Sequence, residues 1–589
     1  MHHFSQVNEQ VFSKVKSLMR EVEATPQKLF GVETWFFRSD TGTGKSQGYI
    51  QHIKGSEASY AVALPTNKMV KEIHDCLVSY GVDAGYWYSG CGHDKPKDTR
   101  VFVGTHKYLL SDSKPENQIG RKDVLIIDET PKEYKGGMLT VSDFRKAEEL
   151  AISYLPLEYQ KKFTDLSQWA AKRYDHFKDH KDTNRYEPQE YAADFGDLKK
   201  VREATKAIPD AEDKALVRKV LDFLVAAGES RAFYRLKGTK TNAALDWCFY
   251  DFRSRGFKKQ VVFSATCNLD GFQHSPDGYK LRDGDGVRVN YSGMDLMKAP
   301  WPWKSKRVVS TMTMQESQEF LEYIDSLIGA CNRGLGEKFL LVLPKRLRSD
   351  LEFTMKQKFK AMEGTWDEAT RTFFKDGNQV FLTNWGADVG SNDYRECGTV
   401  LLFHNNYLPT QALMSDYLHF AELNSGAIKQ HVKADGNLGE VVRGYQSELC
   451  EGGLKQMAMR GSGRNIQDDG TCGQTRVVVA WFDMNEDRAQ KVFPNCKYRE
   501  IPPTHPRFAP KPKSKIVIKS AEQLASFMGD EIELSGVLGR SDVSRAGSAI
   551  AKESVYLGSV GWKFVKGDRG RYGKPSRFVR IEPKLFKAA

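Results

Sequence analysis

The chain has 589 residues, 40% hydrophobic and 11% aromatic, enough for a sizeable core and, by the usual length prior, about three to five domains. Its net charge of +12 favours an anionic partner, and no apolar run approaches the ~18 residues of a membrane span. The first residues lack a basic-then-apolar leader pattern, and nine cysteines without a Cys-x-x-Cys pair argue against a zinc ribbon or a disulfide framework, suiting a reducing, cytoplasmic interior.

In chain order, a polar helix is expected from Val7 to Val22, with a break at Thr25-Pro26, so that 1–30 forms an N-terminal helical segment. The apolar run Thr34-Trp35-Phe36-Phe37 then leads into Ser39-Asp40-Thr41-Gly42-Thr43-Gly44-Lys45-Ser46, followed by residues that can continue as a helix. Strand, Gly-rich turn and helix in that order form a phosphate-binding loop: Gly42 and Gly44 let backbone N–H groups curl round phosphate oxygens at a helix N-terminus. Lys45 would reach the β- and γ-phosphates of ATP, and the Ser46 hydroxyl would ligate Mg²⁺.

Further buried strands are expected at 61–64, ended by Pro65-Thr66, at 101–105, ended by Gly104-Thr105, and at 124–127, ended by Asp128-Glu129-Thr130-Pro131. Acids at the carboxyl end of a parallel strand lie where open α/β sheets place ligands. Asp128 is positioned to hold Mg²⁺ and Glu129 to orient and deprotonate a water. Residues 143–255, rich in Lys, Glu, Ala, Tyr and Leu, are expected to form a mostly helical insertion. The sheet resumes at 260–263 and ends in Ser264-Ala265-Thr266, whose hydroxyls can bond the acids of a neighbouring strand and relay nucleotide state. The first α/β domain is therefore assigned to 31–142 and 256–305, up to the Pro/Trp-rich passage 299–303.

A second α/β domain is expected over 306–500, with strands at 308–310, 338–343, 380–383, 399–403 and 476–482, helices at 315–328 and 345–362, and a looser insertion at 408–455. Within it, Gln456, Arg460 and Arg464 stand in a Gly-punctuated turn suited to stabilising phosphate charge as an arginine finger; either arginine can fill that role. A stiff basic Pro-rich linker spans 501–516. Beyond it, in 517–589, short helices (521–528, 533–538, 545–556) precede two alternating segments, 562–566 and 576–581. Helices followed by a basic hairpin resemble a winged helix-turn-helix. Arg545 on the recognition helix and Lys563, Lys566, Arg569, Arg571 and Arg577 of the hairpin are its candidate nucleic-acid contacts.

Taken in order, these motifs resemble the series of superfamily 2 helicases and translocases. Ser39–Ser46 resembles motif I, Pro65-Thr66 motif Ia, Asp128-Glu129-Thr130-Pro131 a DExx-type motif II, Ser264-Ala265-Thr266 motif III, Gly386-x-Asp388 motif V, and 456–464 motif VI. Thr105 resembles a nucleic-acid-contacting threonine. The insertion between motifs II and III and the Trp385-Gly386-x-Asp388 loop resemble the XPD/DinG-like group. An iron–sulfur cluster would need four clustered cysteines, and only Cys76 and Cys91 lie between motifs Ia and II.

The resemblance implies two RecA-like doubly wound parallel-sheet domains with a helical insertion and a winged-helix-like C-terminal module. It implies an ATP- and Mg²⁺-dependent enzyme acting on DNA, single-stranded or forked, with RNA, a double-stranded DNA translocase and an ATP-switched origin binder as alternatives. The basic tail and single-chain layout suit a phage or mobile-element replication factor working with other replication proteins in a host cytoplasm, away from membranes.

Overall fold

The computed structural model describes residues 6–27, 33–92, 96, 98–111, 119–130, 136–178, 185–189, 196–237, 244–250, 257–266, 279–283 and 288–300 in the first half. In the second it describes 314–332, 334, 336–344, 365–367, 372–375, 377–385, 393–403, 408–433, 437–480, 484–501, 524, 529–537, 562–565 and 576–580. The chain divides into two units. The first comprises 1–288 and 406–456 with a short piece at 388–390, and the second comprises 289–387, 391–405 and 457–589.

The first unit begins with the helix Gln6–Ala24 and then alternates strand and helix. Its strands are β1 (Glu33–Arg38), β2 (Tyr60–Leu64), β3 (Ala84–Trp87), β4 (Val101–Thr105) and β5 (Val124–Asp128). An excursion supplies β6 (Gly136–Leu139), β7 (Arg185–Pro188), β8 (Ala232–Lys237) and β9 (Ala244–Tyr250), after which β10 (Lys259–Ser264) and β11 (Tyr279–Asp283) return to the main sheet. That sheet has the order β11-β1-β10-β5-β2-β4-β3, and every pairing in it is parallel.

Alternate residues of these strands face opposite cores, as the two-residue period of a strand buried on both sides requires. Trp35, Phe37, Val62, Ile126 and Phe263 pack with Val11, Val15 and Met19 of the N-terminal helix. Phe36, Ala63, Leu125, Ile127 and Val262 pack on the other face with Leu413, Met414 and Tyr417. The C-terminal end of the first helix is tied down by polar contacts: Lys259 Nζ donates to Val22 O and Glu23 O at 3.0 Å each. Burial by itself would raise the Glu23 carboxyl, but donation from Tyr60, His52 and Ser56 outweighs it and holds the group below its usual value.

Among its described residues the excursion is mostly helical, and it also carries a sheet. The helices Val141–Tyr154, Leu157–Lys178 and Ala211–Gly228 pack on a four-stranded antiparallel sheet of order β6-β9-β8-β7, around Phe144, Phe223 and Trp247. Its first strand, β6, begins before residue 143. The aromatic residues of Ala232–Lys237 and Ala244–Tyr250 carry the strand signal, which a composition dominated by Lys, Glu and Ala obscured.

The expected loose insertion at 408–455 is ordered too. The helices Thr410–Phe420, Ile428–His431 and Glu440–Ala458 occupy it, and through Gln456 it belongs to the first unit. Leu413, Leu418 and Tyr445 are fully or nearly fully buried, Tyr445 bonds Asp416, and Tyr250 Oη donates to Leu423 O at 2.6 Å.

The second unit has the sheet order β14-β15-β16-β13-β17-β18-β12-β19, from β12 (Met294–Lys298), β13 (Lys338–Leu343), β14 (Thr365–Asp367), β15 (Thr372–Lys375), β16 (Asn378–Asn384), β17 (Thr399–Phe403), β18 (Thr475–Ala480) and β19 (Lys497–Glu500). It is parallel except for the edge hairpin β14–β15 and the β15–β16 pair. The chain passes to this sheet earlier than a boundary at 305, because β12 pairs β18 on one side and β19 on the other. Both units are thus doubly wound α/β sheets of the RecA-like type. The expected strand at 308–310 and helix at 345–362 lie outside the described residues, whereas the helix Met314–Cys331 covers the one expected at 315–328.

In the C-terminal region, β20 (Glu531–Glu533), β21 (Trp562–Val565) and β22 (Arg577–Arg580) form an antiparallel sheet of order β20-β22-β21. The two alternating segments pair as expected. Of the expected helix at 533–538, Leu534–Val537 is a single helical turn and Glu533 ends β20. The recognition helix at 545–556 lies outside the described residues.

Candidate nucleotide site

Three strands converge on the site. β10 lies between β1 and β5, with Ser264 in register with Arg38 and Phe263 with Asp128. The carboxyl ends of the three strands therefore bring the loop 39–46, the acids 128–129 and the hydroxyls 264–266 side by side, although they come from widely separated stretches of sequence.

The loop has the backbone its glycines allow. Gly42 and Gly44 have φ of 86° and 84°, and Gly44 caps the helix Lys45–Lys54. A Cβ on Gly44 would lie 2.7 Å from the Phe12 ring of the N-terminal helix. Lys45 Nζ donates to Ser39 O and Asp40 O at 2.8 Å each, and Thr43 Oγ1 donates to Asp40 O at 2.8 Å. Ser39 and Thr43 hydroxyls lie 2.7 Å apart, and Thr41 is half-buried at the loop's tip.

Ser46 Oγ donates to Asp128 Oδ2 at 2.6 Å and Tyr49 Oη donates to the same oxygen at 2.9 Å. Asp128 O lies 3.0 Å from His106 Nε2. Burial pushes the Asp128 carboxyl up, against the donations from Ser46 and Tyr49 and the charge of Lys45, with Glu129 adding to the rise. Burial likewise pushes the Tyr49 phenol well above its usual range. A hydroxyl and a carboxylate in contact beside a lysine and a Gly-rich loop form an oxygen donor set of the kind that suits Mg²⁺. Among the described residues, no cluster of three or more His, Cys, Asp or Glu forms a metal cage, and the eight described cysteines are free thiols.

Glu129 stands in the left-handed region at φ 62°, its N–H donating to Phe263 O at 2.8 Å. An L-residue there is strained, and such strain concentrates at functional positions. From the same turn Thr130 Oγ1 donates to Ser264 Oγ at 2.8 Å. Ser264 Oγ lies 3.3 Å from Thr266 Oγ1, and Thr266 Oγ1 accepts from Gln456 Nε2 at 3.2 Å. Ala265 sits buried between them. The hydroxyls at 264–266 thus bond Thr130, the residue after the two acids, on one side and Gln456, the first residue of the 456–464 motif, on the other.

No protein-family model matches the chain, and no curated protein matches it. Solved structures do. An apo form of XPD is similar over 83% of this chain and 100% of its own, at 12% identity and TM-score 0.48. S. tokodaii Xpd4 is similar over 84% of this chain and 100% of its own, at 9% identity and TM-score 0.47. S. cerevisiae Dbp5 bound to RNA and ADP BeF3 is similar over 84% and 93%, at 11% identity and TM-score 0.33.

The other expected residues are placed as follows. Thr66, next to half-buried Pro65, caps the helix Asn67–Ser79 by accepting from Met69 N, and Thr105 accepts from Tyr108 N at 3.3 Å at the head of His106–Ser111. Arg460 is buried and Arg464 half-buried, both in the second unit, at the end of Glu440–Ala458 and in the turn Ser462–Arg464. Lys563 is exposed on β21, and Arg577 on β22 pairs with Glu531 at 3.0 Å. Gly386, Asp388, Arg545, Lys566, Arg569 and Arg571 lie outside the described residues.

Sequence reasoning gave no role to Asp40, Tyr49, His106 or Lys455. Tyr49 was within reach of it, since a residue three positions after Ser46 on a helix shares its face. Lys455 pairs with Asp40 across 415 residues, a contact that no local pattern announces.

Proposed function

We propose that this chain is an ATP-dependent nucleic-acid helicase or translocase of superfamily 2 type, acting on DNA. The observation that carries the reading is the meeting of Ser46, Asp128 and Lys45 at the ends of β1 and β5, with the 264–266 hydroxyls between them. A loop with two left-handed glycines, a lysine and a helix N-terminus binds a nucleoside polyphosphate. Mg²⁺ held by Ser46 and Asp128 would neutralise developing phosphate charge. Glu129 orients and deprotonates the attacking water, and Arg460 or Arg464 supplies the arginine finger. The relay Thr130–Ser264–Thr266–Gln456 links that chemistry to the 456–464 motif, and repeated nucleotide cycles then move a strand held mainly by backbone contacts. The ordered motif series supports this reading, and the basic C-terminal region supports an anionic polymer as the partner.

The test is ATP turnover with and without single-stranded DNA. Lys45→Ala and Glu129→Gln are each expected to abolish stimulated turnover, and turnover retained in both overturns the reading. Strand displacement from a fork separates unwinding from translocation, and competition between single-stranded DNA and RNA for stimulation identifies the polymer.

A further inference from the structure

Asp40 is a costly residue to find in a phosphate loop, because a carboxylate beside a polyanion repels it. It is part of the cradle wall: its carbonyl oxygen accepts from both Lys45 Nζ and Thr43 Oγ1 at 2.8 Å. Its carboxylate is paired with Lys455 Nζ, and the two side chains are only 8% and 7% exposed. Lys455 stands in the last turn of Glu440–Ala458, and the next residue, Gln456, donates to Thr266. All six residues belong to the first unit.

We propose that Lys455 is a positioning residue that neutralises Asp40, so that the loop admits a nucleoside polyphosphate and the pair sets nucleotide affinity. The inference rests on the nucleotide-binding reading above. A buried charge is expensive to leave without its counter-ion, and at this depth it is little screened by salt. With Lys455 removed, the Asp40 carboxylate confronts the phosphates. With the Asp40 charge removed, the Lys455 ammonium becomes a further cation beside the loop. The two single substitutions must therefore act with opposite sign on nucleotide binding. A pair that merely held the fold together would weaken binding and stability alike from either side.

The experiment is titration calorimetry of the full chain with ADP and with Mg·ATP, together with steady-state ATP turnover and thermal midpoints. Lys455→Met is expected to weaken both nucleotides about tenfold or more, and Asp40→Asn to tighten both about tenfold or more, the direction set by the sign of the charge removed. Asp40→Asn should also lower KM and kcat together, as bound product leaves more slowly. Combining the two substitutions should return affinity towards wild type, and Lys455→Arg should retain it. Should Lys455→Met fail to fold, Asp40→Asn alone decides the sign. Nucleotide binding weakened or unchanged in Asp40→Asn overturns this inference while leaving the nucleotide-binding reading in place. A wild-type chain that binds neither nucleotide overturns both.

Discussion

At the scale of single residues, the site was legible wherever its chemistry is written in contiguous sequence. Lys45, Ser46, Asp128 and Glu129 were named from a Gly-rich turn after one strand and two acids after another, and the sheet brings Ser46 and Asp128 into contact. The partner of Asp40 was not legible, because an ion pair between distant residues depends on which helix packs where. The strain at Glu129 was hidden as well, since φ is set by the turn that leaves β5 and not by the residue's own preference. That strain supports a prediction. A glycine occupies the left-handed region without the Cβ conflict, which costs an L-residue about 1 kcal/mol or more. Glu129→Gly is therefore expected to raise the thermal midpoint while abolishing turnover, stability and function moving in opposite directions. A lower midpoint would show that the side chain's own contacts outweigh the backbone strain.

At the scale of elements, the parallel strands were the most legible parts, because continuous apolar runs bounded by turn residues have few other readings; β4 falls on the expected residues 101–105. The helices at 410–458 were missed for a physical reason. Gly426, Gly436, Gly439 and Gly444 lower intrinsic helix propensity, and the segment is held by burial on the first unit's sheet instead. The strands β6 and β7 of the excursion were missed because their hydrogen bonds join segments that lie far apart, as in the pairing of β6 with β9. Leu413 is fully buried where these helices meet the sheet. Leu413→Ala should cost about 2–5 kcal/mol, and amide exchange should quicken together across 410–458 and 232–250. Exchange that quickens in the helices alone would mean that they open as a separate cooperative element.

At the scale of the whole molecule, charge is the informative quantity. Residues 501–589 carry 17 Lys and Arg against 8 Asp and Glu, so most of the surplus of +12 sits there. Neutralising phosphates releases counterions, and the logarithm of affinity falls with the logarithm of salt concentration by ~0.7 per phosphate contacted on a single strand. Removing 515–589 should weaken single-stranded DNA binding and flatten that slope, as measured by fluorescence anisotropy across a salt series, while turnover without DNA persists. An unchanged slope would place the polymer's contacts elsewhere in the chain. The connectivity was the least legible feature at this scale, since β12 pairs with strands that lie far downstream and the helices at 410–456 complete a unit begun at the N-terminus. That interleaving bears on how the chain is made. A ribosome adding about 5–20 residues per second delivers β18 roughly 10–35 s after β12, and until then β12 has neither of its neighbours. The first sheet likewise emerges with the face that Leu413 and Tyr417 will cover still bare. Neither half can finish folding before the ribosome has passed most of the message, which makes this chain a natural client for chaperones that shield nascent apolar surface.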